Sequence, residues 1–172
     1  MFDGTGFVRG LRKNGFNCEG ARCLIVGSGG VGSAIAASLA AAGATSISLF
    51  DLDAAIADGL ASRLRKHFPG TEVRLATNDP AGYDLLVNGT PMGMNPGDPL
   101  PVDPSRLSPS TFVGEVVMKS EITPLLYAAR ERGCRFQVGS EMLFEMIPAY
   151  LEFFGFGSAT SAELRAIGAV EY

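Results

Sequence analysis

The sequence has one histidine, three cysteines and no apolar run approaching the roughly 18 residues needed to span a bilayer. Cys18, Cys23 and Cys134 are odd in number and far apart, and two fall in apolar segments. That is the pattern of small buried hydrophobes in a reducing compartment, so neither a disulfide nor a metal site is expected. His67 stands beside Phe68-Pro-Gly70 at the end of a helical segment, a solvated terminal position to which no chemistry is assigned. Basic residues form no long block: 14 Lys and Arg against 18 Asp and Glu leave a net charge of −4. Arg63-Leu-Arg-Lys66, the densest group, reads as a solvated helix face, and a nucleic-acid surface is not expected. The amino terminus lacks a charged stretch followed by an apolar core, so no membrane association and a cytoplasmic location are expected. Internal repeats and low-complexity linkers are also missing.

What is present is an ordinary globular composition, 47% hydrophobic over 172 residues, sufficient for one domain with a sizeable core. The stretch Arg22-Cys-Leu-Ile-Val-Gly-Ser-Gly-Gly-Val-Gly-Ser33 runs from an apolar strand through glycines into an Ala-rich helical pattern. Gly27, Gly29 and Gly32 keep the G-x-G-x-x-G spacing, in which the first permits the turn and the second lets the backbone approach a pyrophosphate. The third allows close helix packing, and the helix amino end then points at the phosphates. A second strand, Ser46 to Phe50, ends at Asp51, where a carboxylate can accept hydrogen bonds from the adenosine ribose. No arginine follows it closely to receive a 2′-phosphate, which favours NAD over NADP. A glycine turn that binds nothing, with Asp51 as a helix cap, accounts for less of this pattern. Valine at Gly29 or Gly32 is expected to weaken cofactor binding with little unfolding.

Around this unit the chain alternates strand and helix. A helix over 3–14, capped by Asp3, carries Phe7, Val8 and Leu11 on one face and stops at Gly15. Asp53 caps a helix towards His67. Further strands are expected over 72–76, 84–87, 112–117 and 135–138, with helices over 124–132 and 140–154. The order implies an α/β, three-layer Rossmann-type fold with a mostly parallel doubly wound sheet of about six strands. Ligands bind such sheets off the carboxyl ends of the strands, which puts Asn88-Gly-Thr-Pro91 beside the dinucleotide. Met142, Met146 and Phe153 can be simple core residues.

Several ordered motifs resemble the shikimate/quinate dehydrogenase family: Asp-Gly-x-Gly-Phe at 3–7, Gly-x-Gly-Gly-x-Gly at 27–32, and Asn-x-Thr-Pro-x-Gly-Met at 88–94. Val-Gly-Glu-Val-Val at 113–117, Thr-Pro-Leu-Leu at 123–126 and Gly-x-x-Met-Leu at 139–143 extend the likeness. The resemblance implies the carboxyl-terminal dinucleotide domain of a two-domain NAD(P)-dependent oxidoreductase acting on a cyclic hydroxy or keto acid, as in aromatic amino acid biosynthesis. Residues 1–172 would then be a single Rossmann domain without the family's amino-terminal substrate domain, and Met1 could be an internal methionine of a longer protein. It implies a pyrophosphate loop of Gly29, Gly30 and Val31, contacts from Asp51 to the adenosine ribose and from Thr90 to the nicotinamide ribose, and a nicotinamide site at the Val116 and Gly139 backbones and the Met142 side chain; Gly27, Gly32 and Asn88 complete the cofactor-binding residues expected from the glycine spacing and the Asn-Gly-Thr-Pro loop. Asp3 corresponds to the aspartate that pairs with the family's catalytic lysine, but neither Lys66 nor Lys119 matches that lysine's motif. Met118 and Met146 stand where the family commonly has tyrosine and a substrate-binding glutamine, and thioethers replace hydroxyl-binding groups poorly.

The expected partners are a nicotinamide dinucleotide, a small cyclic hydroxy acid once a substrate domain is supplied, and a second copy of the chain as a homodimer. A non-catalytic NAD-binding module is the alternative. An S-adenosylmethionine-dependent methyltransferase shares the glycine loop and acidic strand end but leaves the Asn-Gly-Thr-Pro and Gly-Ser-Glu-Met-Leu segments unexplained.

Overall fold

The computed structural model describes residues 2–168. Met1, on which the expectation of an internal start rests, lies outside them. Six parallel strands form one sheet in the order β3-β2-β1-β4-β5-β6. They are β1 (Arg22–Val26), β2 (Ser46–Phe50), β3 (Glu72–Leu75), β4 (Leu85–Asn88), β5 (Phe112–Glu115) and β6 (Phe136–Gln137). The order reverses between β1 and β4, so the switch point where a crevice opens lies at the carboxyl ends of these two strands. Pairing in register puts Val26 opposite both Phe50 and Asn88, and Asn88 opposite Glu115.

Alternation along β1 divides the core into two layers. Cys23 and Ile25 face α1 (Phe2–Lys13), α2 (Gly30–Ala41) and α3 (Ala54–His67), packing with Phe7, Leu11, Ile35, Leu39, Leu60 and Leu64. Leu24 and Val26 face the other way, with Leu125, Leu126 and Ala129 of α4 (Pro124–Glu131) and with Val102 and Leu107 of the long connection before β5. The three cysteines are buried thiols in these layers. The last long helix, α5 (Gly139–Phe153), lies against α1, which in turn lies against α2. Glycines in an exposed helix cost about 1 kcal/mol each, so α1 depends on tertiary packing. A Cβ at Gly6 would crowd the Met142 carbonyl and Met146, and one at Gly4 would overlap the Ala34 carbonyl of α2. The missing side chains are what let α1 wedge between α2 and α5.

Several boundaries differ from the sequence expectation. Asp3 lies inside the first turn of α1 and does not cap it from outside. The fourth strand starts at Leu85 and runs on to Asn88, and the Asp84 carboxylate just ahead of it accepts from the Arg22 amide and guanidinium. The fifth ends at Glu115, whose carboxylate takes the next two amides out of the ladder. A further helix, α6 (Ser161–Ile167), was not anticipated. It has a capping box between Thr160 and Glu163, and Arg165 reaches Glu141 and Glu145 of α5. Among the described residues no helix is long and apolar enough to cross a membrane.

Candidate dinucleotide site

The glycine loop occupies the switch point. Gly27 has φ +97°, a left-handed conformation that a side chain rarely adopts, and its amide donates to the Phe50 carbonyl at 2.8 Å. Gly29 is the residue before α2, and no side chain caps that helix. A Cβ built on Gly29 or Gly30 meets nothing within 4 Å, so the space in front of the helix amino end is open. Gly32 differs: its Cβ would overlap the Gly27 carbonyl oxygen, which makes Gly32 a contact between helix and loop. Valine there must push α2 away from the Gly27 turn, so a folding cost is expected at Gly32 and none at Gly29.

Asp51 follows β2 and folds back on the loop. Its Oδ2 accepts from the Ser28 amide at 2.7 Å and its Oδ1 from the Asp53 amide at 3.0 Å. Ser28 itself is buried, and its hydroxyl oxygen has no partner. Asp51 thus does not cap α3; Asp53 does, accepting from Ala55. The open helix amino end, the orphaned Ser28 hydroxyl and an acceptor-rich carboxylate beside them fit an anion carrying a ribose.

Two cavities continue from this loop. One of about 280 Å³ is lined by Gly27, Gly29, Phe50, Asp51, Leu52 and Thr90 among others. The second, about 400 Å³, is lined by Val31, Thr90, Met94, Val116, Met118 and Lys119 among others. Gly89, Thr90 and Pro91 border both, so they form one track with the Asn-Gly-Thr-Pro loop at its waist. Gly139 is pressed against Val117, since a Cβ there would overlap the Val117 carbonyl oxygen, and Met142 is buried one turn on. The structure therefore brings Gly27, Gly29, Val31, Asp51, Thr90 and Val116 to the walls of one cleft, with Gly139 behind Val117. Asp3 is half-buried in α1 and lines neither cavity. Met118 is open on the cavity wall, whereas Met146 is buried at the α1–α5 contact.

Asn88 is fully buried and works behind the wall. Its Oδ1 accepts from the Thr90 amide at 3.1 Å and the Thr90 hydroxyl at 2.7 Å, and its Nδ2 donates to Glu115 Oε1 at 2.9 Å and to the Met92 carbonyl at 3.2 Å. Glu115 is also fully buried and accepts from the Val116 and Val117 amides at 2.9 and 3.2 Å and the Thr123 hydroxyl at 2.9 Å. Burial pushes its carboxyl up to about 7 against the pull of these donors. Sequence reasoning did not single out Glu115. The available signal was a carboxylate in an otherwise apolar strand, Phe112-Val-Gly-Glu-Val-Val117.

Comparison with known proteins agrees with this geometry. The ThiF family matches residues 17–56, which take in β1, the glycine loop, α2, β2 and Asp51. The chain is 38% identical over 150 residues to a shikimate dehydrogenase (NADP(+)) of Geobacter sulfurreducens, covering 82% of this chain and 52% of that protein. A quinate dehydrogenase from Corynebacterium glutamicum in complex with NAD has the same fold, with TM-score 0.87 and 30% identity over 95% of this chain and 60% of that one. This chain is a relative of the shikimate/quinate dehydrogenases. The ligand-free 5-ketofructose reductase of a Gluconobacter strain is similar too, with TM-score 0.84 and 30% identity over 95% of this chain and 61% of that one. The chain spans between about half and three fifths of the length of these relatives. Their names include both NAD and NADP, and shikimate, quinate and 5-ketofructose.

Proposed function

We propose that this chain is the dinucleotide-binding part of an NAD(P)-dependent oxidoreductase of the shikimate/quinate dehydrogenase kind, with NAD preferred. The observation that carries the reading is the single track from Asp51, past the open amino end of α2, to Thr90 and Val116. Its two cavities suit the two halves of a dinucleotide, with the pyrophosphate between them at Gly29 and Gly30. In this reading Asp51 takes the adenosine ribose, Thr90 the second ribose, and Val116, Gly139 and Met142 border the nicotinamide. When bound, the cofactor supplies the hydride chemistry, and the chain's own residues orient it and exclude water.

The substrate side is a cyclic hydroxy or keto acid, bound only once a substrate domain completes the cleft, with residues 1–172 acting as one dinucleotide domain and Asp3 facing that second domain. A non-catalytic NAD-binding module is the second reading, favoured by the second cavity's wall, where Lys119 is the one titratable side chain among Thr90, Met94 and Met118. Calorimetric titration with NAD+, NADP+ and S-adenosylmethionine tests the proposal. Binding of NAD+ in preference to the other two supports it; binding of S-adenosylmethionine alone overturns it.

A further inference from the structure

The track has walls supplied by two separate segments, Gly89–Met92 after β4 and Val116–Lys119 after β5, and nothing in their sequence ties one to the other. The tie is Glu115. Through Oε1 it receives Nδ2 of Asn88, which holds Thr90 by its other side-chain atom, and the amides of Val116 and Val117; through Oε2 it receives the Thr123 hydroxyl. Thr123 in turn caps α4 by accepting from the Leu126 amide at 3.3 Å. One buried side chain therefore fixes two loops and a helix start. Four donors, the Asn88 amide, the Val116 and Val117 N–H groups and the Thr123 hydroxyl, would lose this acceptor without it, at roughly 1–3 kcal/mol for each left unpaired.

We propose that Glu115 is a positioning residue for the nicotinamide half of the dinucleotide, holding the Thr90 loop and the Val116–Val117 segment at one spacing across the second cavity. This rests on the dinucleotide reading of the cleft. Glu115 touches no ligand. It acts through Asn88 on the Thr90 hydroxyl and amide, and directly on the Val116 backbone, so its removal should leave the adenosine end, organised by Gly27 and Asp51, as it is. Glutamine can take over most of the work: its oxygen can occupy the Oε1 position with all three donors, while its NH2 group, in place of Oε2, donates to the Thr123 oxygen. Methionine has the same chain length and no comparable acceptor.

The experiment is titration of NAD+ and of ADP, which lacks the nicotinamide half, against the native chain, Glu115→Gln and Glu115→Met. The expected result is a loss of about tenfold or more in NAD+ affinity for Glu115→Met, with ADP affinity within about twofold and Glu115→Gln close to native. Equal losses for NAD+ and ADP, or no loss for NAD+, overturn the proposal. If the methionine variant does not fold, amide hydrogen exchange on the native chain decides: Thr90, Val116 and Val117 should open together as one unit. Thr90 exchanging freely while Val116 and Val117 stay protected overturns the coupling. A native chain that binds neither NAD+ nor ADP sinks the dinucleotide reading instead, and the exchange pattern then judges the coupling by itself.

Discussion

The Asp51 carboxylate sits 2.7 Å from the Ser28 amide, so the acidic end of β2 is clasped to the glycine loop of β1 across 23 residues of sequence. The residue proposed to select the cofactor therefore also holds the loop that receives the pyrophosphate. Asp51→Ala should narrow the gap between NAD(H) and NADP(H), because a 2′-phosphate would no longer meet a carboxylate. It should also lower thermal stability modestly, by about 1–2 kcal/mol, because the Ser28 and Asp53 N–H groups lose their carboxylate acceptor. Paired calorimetric titrations with unfolding curves check both, and unchanged discrimination would remove Asp51 from the selection of NAD.

Glycine at 29 and glycine at 32 answer to different physics. A Cβ at Gly29 enters open space and Gly29 has an extended backbone at φ −69°, ψ −161° that any residue adopts, so Gly29→Val should fold normally and lose dinucleotide affinity. Gly32→Val must displace the Gly27 carbonyl, and a destabilisation of about 3 kcal/mol or more is expected before binding enters. Melting temperatures measured beside affinity per folded molecule separate the two. Gly29→Val with native affinity would place the pyrophosphate elsewhere.

The glycine loop, the strand leading to Asp51 and the alternation of strands and helices along the chain were legible because each depends on local pattern: spacing of glycines, apolar runs and turn residues. What remained out of sight was the set of contacts made across strands. That Asn88 and Glu115 are register partners on β4 and β5 follows only from the assembled sheet, as does their joint burial. Asn88 reads in sequence as a residue beside the cofactor, whereas its side chain is spent on Thr90, Met92 and Glu115. Helix α6 was missed because seven residues, two turns, are too few to display a periodicity, and what secures it is Arg165 bonding back to Glu141 and Glu145.

Glu115 gives the fold a pH dependence whose direction can be stated. Its carboxyl is raised from 4.5 to about 7 by burial, and no ionised neighbour contributes. The folded state thus holds a proton that the unfolded chain releases near 4.5, so this contribution is fully present below about pH 4.5 and is lost as pH rises through 7. The loss is at most roughly 3 kcal/mol, set by the difference between the two states. Chemical unfolding between pH 5 and 8, compared with Glu115→Gln, tests it: the native chain should lose stability across this range relative to the variant, and parallel curves would show that Glu115 is ionised throughout.

The isolated chain is expected to bind dinucleotide without oxidising shikimate or quinate at a useful rate. Hydride transfer from an alcohol needs a group to take the hydroxyl proton, and losing general acid–base help costs roughly 10²–10⁴-fold before substrate orientation is counted. Asp3 does not reach the cleft walls, Met118 and the buried Met146 offer no hydroxyl partner, and Lys119 already donates to Asn95 Oδ1 at 2.6 Å. Spectrophotometric detection of NADH formation at high substrate concentration decides the matter. No turnover beside clear NAD+ binding is the expected outcome. Robust turnover would refute the half-enzyme reading, and Lys119→Met would then be the decisive variant: loss of rate with NAD+ affinity intact would place Lys119 at the substrate.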